Sequence, residues 1–153
     1  MTRKGKMFEA EVSKSLKSIE SVEPYFFYRR LLDSARVGMR VPADFLVIHA
    51  GKARLFECKS SKQKVSFPFR NVAEHQIFDL LEAEEAGAIS WLLIKHSCRK
   101  PTVYAIPIKS WIRLIDNPKR KSITWDDLDK EADTILRKNK DNMWELWSLF
   151  ILD

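Results

Sequence analysis

Apolar residues recur at helical spacing near the start of the chain. Phe8, Val12, Leu16 and Ile19 form one stripe within residues 7–20, with Lys14, Lys17 and Ser18 off it, which predicts an amphipathic helix. Pro24 ends that stretch, and Tyr25-Phe26-Phe27-Tyr28 is β-prone and leads into Arg29-Arg30. Residues 33–42 read as a basic loop. Two apolar runs follow, 44–49 and 52–59, separated by Ala50-Gly51, a spacing that predicts a tight hairpin. Residues 60–70 form a second basic loop containing Pro68. Residues 72–86 predict a helix closed by Gly87. Two more strands are expected at 88–95 and 102–106, joined by 96–101, then a short helix at 107–116. Residues 125–138 read as a helix begun by Thr124 and Asp126-Asp127, and the apolar tail 144–152 suits helix or strand. This order predicts one α/β domain over 1–153, a central mixed sheet of about five strands flanked by helices.

The hairpin carries the chemistry. A two-residue turn at Ala50-Gly51 pairs His49 with Lys52, Val47 with Arg54, Phe45 with Phe56, and then Asp44 with Glu57. Paired residues share a face with Cβ atoms about 5 Å apart. Lys59, two residues past Glu57, shares it too. Two opposed carboxylates on otherwise apolar strands repel unless something compensates. Lys59 is one compensating charge and a divalent cation is a better one. Mg²⁺ takes one or two carboxylates and fills its shell with water and phosphate oxygen, and the main-chain carbonyl of Cys58 is placed to add a ligand. Lys59 would orient or deprotonate an attacking water, or stabilise developing charge. Taken alone, the same residues also describe a structural ion-pair cluster at a sheet rim.

Charge sharpens this reading. The formal net charge is +6. Residues 1–72 hold 15 Lys/Arg against 7 Asp/Glu, whereas residues 73–153 hold 12 against 14. A basic half suits a polyanion partner, or plain solubility. The 153 residues include no apolar run of membrane-spanning length and no signal-like start, and Cys58 and Cys98 are the only cysteines, which points to a cytoplasmic protein without a disulfide scaffold. Neither they nor His49, His75 and His96 stand at metal-ligand spacing. His49 and His96 read as surface residues, the two cysteines as small core residues, and Trp91 as core.

Val41-Pro42-Ala43-Asp44 followed by Glu57-Cys58-Lys59 resembles the PD-(D/E)xK nuclease motif. Ser66-Phe67-Pro68-Phe69-Arg70-Asn71 and His75-Gln76-Ile77 resemble the blocks that follow it in RecU-type Holliday junction resolvases. The opening Arg3-Lys4-Gly5-Lys6-Met7-Phe8-Glu9 is similar to the first helix of RecU and of archaeal Hjc resolvases. The likeness runs from Arg3 to about Leu128 and implies a restriction-endonuclease-like core. It also implies a homodimer that nicks four-way junction DNA symmetrically with Mg²⁺ or Mn²⁺. It implies Asp44, Glu57 and Glu9 at the metal, Lys59 as catalytic lysine, and Gln76 pointing into the site. Periodicity does not separate Glu9 from Glu11, since both flank the apolar stripe. The resemblance selects Glu9.

Around such a site, Arg3, Lys4 and Lys6, then Ser34, Arg36 and Arg40, then Lys62, Lys64 and Arg70 are candidate phosphate contacts. One departure stands out. About twenty residues separate Tyr25 from Asp44, too few for the stalk that RecU proteins carry there, so the chain is closer to the minimal Hjc form. A PD-(D/E)xK endonuclease with another DNA target, and a DNA-binding module without catalysis, remain the alternatives.

Overall fold

The computed structural model describes residues 3–33, 38–98 and 100–151. The candidate phosphate contacts Ser34 and Arg36, and the side chains of Arg3 and Lys4, lie outside what is described. Helix α1 (Arg3–Val22) runs beyond the expected 7–20 at both ends. Strands β1 (Phe26–Arg30), β2 (Phe45–His49) and β3 (Lys52–Ser61) follow, then β4 (Ser66–Pro68) and a 3-10 turn at Phe69–Asn71. Helix α2 (Glu74–Glu85) precedes β5 (Ile89–His96), β6 (Thr102–Pro107) and α3 (Ile108–Ile115). The chain continues through β7 (Ser122–Thr124), α4 (Trp125–Glu131), β8 (Thr134–Leu136) and a 3-10 segment, Leu146–Leu149.

Six strands form one sheet in the order β1-β2-β3-β5-β6-β8, and β4 and β7 form a separate two-stranded ribbon. Only the β3–β5 pair is parallel. The mixed sheet flanked by helices is therefore the expected architecture, with one more strand than anticipated. The hairpin turn is the expected one. Ala50 and Gly51 both take positive φ, 53° and 73°, as a right-twisted two-residue hairpin requires. Pairing runs from His49↔Lys52 to Phe45↔Phe56.

Side chains alternate across the sheet and feed two cores. On one face, Phe8, Val12 and Leu16 of α1 pack with Phe45, Val47, Phe56 and Leu93, and the tail closes this layer with Trp144, Leu146, Leu149 and Phe150. On the other, Leu92, Ile94, Tyr104 and Ile106 pack with Leu80, Trp111, Trp125 and Phe67. Trp144, Leu146, Leu149 and Phe150 of the tail are thus buried, on irregular chain with a 3-10 turn rather than on a regular helix or strand.

Four expectations are corrected. The helix expected over 125–138 ends at Glu131, and Thr134–Leu136 is instead the edge strand paired with β6. That strand satisfies the open backbone edge at Val103–Ala105, and the sheet's demand overrides local helix propensity. The basic loop 60–70 is partly ordered as β4. His96 is not a surface residue: it is fully buried and stacked on Trp125 at 3.9 Å. Cys98, expected in the core, is exposed.

Glu11 fastens the tail layer. Its carboxylate lies 2.8 Å from Lys95 Nζ and 3.2 Å from Lys138 Nζ, and accepts the Trp144 indole N–H at 2.8 Å. Burial alone would push this carboxyl up, but bonds from Lys95, Trp144 and Lys138 together hold it below the usual range. Glu11→Ala should therefore lower stability by about 2 kcal/mol, the loss expected when charge-assisted bonds go and two part-buried ammoniums are stranded. Urea denaturation would measure it, and Glu11→Gln should recover part of the loss through the indole bond.

Candidate active site

Asp44 stands just before β2, and its surroundings bend the chain out of the regular ladder. Its amide bonds the carbonyl of Phe56 at 3.0 Å, one residue off the hairpin register, and its carbonyl accepts the Leu31 amide at 2.8 Å. Its carboxylate accepts the Cys58 amide at 2.8 Å. The result resembles a bulge, a device that re-aims a side chain at a strand end. In a strand the N–H and C=O of one residue project to the same edge. The Cys58 carbonyl therefore faces the side that β2 has vacated, beside Asp44.

Asp44, Glu57, Lys59 and Gln76 line one cleft of ≈ 300 Å³, together with Asp33, Arg40 and His75. Lys59 Nζ lies 3.7 Å from Glu57 Oε1. Gln76 is positioned by its own helix start: Oε1 accepts the Ala73 amide at 3.0 Å, and Nε2 donates to Glu57 Oε1 at 2.9 Å. Because an amide donor fixes the oxygen and a carboxylate fixes the nitrogen, the orientation of the Gln76 side chain is determined.

Glu9 reaches the site from α1. Its carboxyl is buried, paired with Arg30 at 3.6 Å, and its Oε2 has no hydrogen-bonding partner. Glu9 and Glu11 are now separated: Glu9 belongs to the carboxylate group around Asp44, Glu11 to the structural network at the tail. Desolvation, then the neighbouring Asp44 charge, raises Glu9 to about 7 against the pull of Arg30. The same causes in the same order raise Glu57 to about 8, against the pull of Lys59. Burial also raises Asp44, opposed by the Cys58 amide. The group is thus short of positive charge.

Among the described residues no three His, Cys, Asp or Glu side chains form a ready-made metal cage. A hard cation that keeps most of its waters needs fewer. Two carboxylates, an outward-facing carbonyl and an orphaned buried carboxylate oxygen fit Mg²⁺ or Mn²⁺ better than a fully protein-coordinated ion.

Lys6, Lys62, Lys64 and Arg70 are exposed. Arg40 is exposed on the cleft rim and paired with Asp79 at 3.2 Å. Sequence reasoning missed Arg30 and Asp33. Arg30 pairs with Phe45 across β1–β2, next to Asp44. Asp33 accepts the Val41 amide at 2.6 Å and so shapes the approach to Asp44. Only the register of β1 would have pointed to Arg30, and nothing local marks Asp33.

A mixed sheet with two carboxylates, a lysine and a glutamine in one cleft defines the acid–lysine class of site that the Asp44…Glu57-x-Lys59 spacing anticipates. The family model for Recombination protein U matches residues 9–143, and the chain belongs to that family. The Holliday junction resolvases RecU of Staphylococcus aureus strains JH9 and COL are each 34% identical to it over 93 residues. Those matches cover 58% of this chain and 44% of each relative, so they span less than half the relatives' length. A 1.6 Å structure of Archaeoglobus fulgidus Hjc, a Holliday junction resolvase from an archaeal hyperthermophile, aligns with a TM-score of 0.45 at 15% identity, covering 80% of this chain and 84% of that one.

The raised carboxyls set a pH dependence. Unfolded glutamates titrate near 4.3, so the native state holds extra protons from there up to about 8. The contribution of Glu9 and Glu57 to the stability of the metal-free protein should be fully present below that window and be lost as pH rises through it. Thermal melts in EDTA between pH 5 and 9 should show the decline, and Glu57→Gln should flatten it.

Proposed function

We propose that this chain is a metal-dependent endodeoxyribonuclease that resolves four-way DNA junctions by symmetric paired nicking in recombination or repair. The observation that carries it is the convergence of Asp44, Glu57, Lys59 and Gln76 in one cleft in a chain of the Recombination protein U family. The RecU relatives are named Holliday junction resolvases, which supports four-way junction DNA as substrate. In this reading residues 1–153 act as one nuclease domain in the cytoplasm.

Asp44, Glu57 and the Cys58 carbonyl would hold Mg²⁺, or Mn²⁺ in its place, with Glu9 completing the acidic shell. A divalent ion there supplies positive charge to the scissile phosphate and acidifies water. Lys59, held toward the cleft by Glu57, orients the attacking water and donates to the charge that gathers on the phosphate oxygens as one P–O ester bond breaks. Gln76 fixes the rotamer of Glu57, and Arg30 holds Glu9 beside Asp44. Arg3, Lys4, Lys6, Ser34, Arg36, Arg40, Lys62, Lys64 and Arg70 contribute phosphate contacts in this reading.

Two equivalent cuts call for two copies. An apolar face beside the site supports a homodimer: Phe78 is 63% exposed on α2, next to Ile77, Leu81, Ile112 and Ile115. Acidic α2 also adjoins α3, which carries Lys109 and Arg113, so a two-fold pairing can set α2 of one copy against α3 of the other. Phe78→Asp should yield a monomer by sedimentation velocity, and an unchanged dimer would place the interface elsewhere.

A labelled synthetic four-way junction and a linear duplex of the same sequence, with Mg²⁺ or with EDTA, test the activity on a denaturing gel. Metal-dependent paired nicks in the junction alone are expected. Asp44→Asn and Glu57→Gln should abolish cutting while binding survives, and Lys59→Ala should slow it by about 10²–10³-fold. Equal cutting of both DNAs would retain a nuclease with another target. Binding without cutting would leave only a DNA-binding module.

A further inference from the structure

The β4–β7 ribbon is built differently on its two faces. Phe67 and Ile123 point inward and are fully buried, Phe67 edge-on to Trp111 and Trp125. By alternation, Ser66, Pro68, Ser122 and Thr124 make the outer face, a low surface of small and hydroxyl-bearing residues, all half-buried. Three residues of strand make it about 10 Å long.

Cations border this face at both ends. Lys62 and Lys64 lead into β4, and Arg70 leaves it. On the partner strand the turn Asn117–Lys121 brings Lys119 and Lys121 to the Arg70 end, where the Lys121 carbonyl accepts the Phe69 amide at 2.9 Å. That turn is shaped by Asn117, whose side chain accepts the Lys119 amide at 3.0 Å and whose carbonyl accepts the Arg120 amide at 3.0 Å. Arg120 is engaged by Asp127 at 2.7 Å. Lys62, Lys64, Arg70, Lys119 and Lys121 are exposed, and no ion pair among the described residues uses them. Residues 58–73 and 117–124 contain no acidic side chain; the acids that bound them are Glu57 and Glu74, and Asp116 and Asp126. Lys119-Arg120-Lys121 falls in the half of the chain that is otherwise net acidic, so the fold delivers it to the basic surface of the other half.

We propose that the β4–β7 ribbon is a second DNA-contacting surface, on which the sugar-phosphate backbone of a duplex arm lies, with Lys119 and Lys121 as its previously unassigned anchors. The hydroxyls of Ser66 and Ser122 donate to phosphate oxygens between the two cationic ends, a sequence-independent mode of contact. The ribbon also joins the two catalytic elements, running from β3, with Glu57 and Lys59, to α2, with Gln76. An arm seated on it is therefore registered against the cleft. This rests on the proposed reading of DNA as substrate.

The test uses the full chain and fluorescein-labelled DNA, both a four-way junction and a linear duplex, in EDTA so that nothing is cut. Kd is measured by anisotropy across a salt series. Each phosphate contact adds about 0.9 to the slope of log Kd against log salt. The double variant Lys119→Glu/Lys121→Glu should bind both DNAs roughly 10-fold or more weakly, with a slope lower by about 2. The control Lys52→Glu/Lys140→Glu makes the same change in net charge at exposed sites away from the ribbon and should leave the slope near wild type. An unchanged slope, or a loss equal to that of the control, overturns the proposal. Wild-type protein that binds but does not cut the junction would sink the nuclease reading and leave the ribbon to be judged by the salt slopes.

Discussion

The structure around the cleft depends on holding Glu9, Asp44 and Glu57 close together where water is scarce. Carboxylates so placed resist ionisation, and Glu57 and Glu9 are pushed to about 8 and 7 by burial first and then by the neighbouring charge of Asp44. Each receives one protein partner from a different element. Arg30 comes from β1, the Cys58 amide from β3, and Gln76 from α2. Lys59, in the same cleft, lies 3.7 Å from Glu57. Those partners fix three carboxyls in place without neutralising them. Three carboxyls fixed in place with so little positive charge around them suit the cation site proposed above, and strain of this kind is retained at functional sites at a cost in stability.

Such a group needs rigid support from both sides of the sheet, and the two cores supply it. Glu9 rides on α1, one turn from Phe8 and Val12, which are sunk in the first core. Gln76 rides on α2, anchored through Leu80 in the second. The β2–β3 hairpin lies between them, with Phe45 and Phe56 on one face and Leu55 on the other. Glu11 then locks α1 to β5, Lys138 and Trp144, so the helix bearing Glu9 cannot rotate without breaking that network. Adjacent acids on one helix thus divide the work: one supports, the other faces the site.

Much of this was legible in the sequence, for identifiable reasons. A two-residue turn fixes register exactly, so Ala50-Gly51 sufficed to bring Asp44, Glu57 and Lys59 to one place. The local departure at Asp44 was not legible, because it follows from a bond between its own carboxylate and the Cys58 amide. Arg30 was hidden because its role depends on which strand β1 joins. The end of α4 at Glu131 carries no proline or glycine; the open edge of β6 recruits Thr134–Leu136, a tertiary demand invisible locally. His96 looked like a loop residue because nothing in its neighbourhood announces Trp125, 29 positions on, as its stacking partner. Nothing local relates Lys119-Arg120-Lys121 to residues 62–70, which it meets only through the pairing of β7 with β4.

Charge segregation links these parts. DNA is repelled by an acidic cleft, and the carboxyl group here is too poorly compensated to admit a phosphate by itself. A basic surround solves the approach but not the final contact: exposed cations hold a backbone from several ångströms away, with a strength that salt erodes. Inside the cleft, a bound cation would reverse the local sign and turn the same carboxylates from a barrier into a mount. In the proposed reading, binding and reaction are therefore separable. Exposed Lys62, Lys64 and Arg70 lie in the segments on either side of β4, while the cleft is shaped by Glu57 on β3 and Gln76 on α2, which named hydrogen bonds hold. Such a division would let the proposed DNA-contacting surface vary without disturbing the cleft, which is how one acid–lysine scaffold can be directed to different DNA shapes.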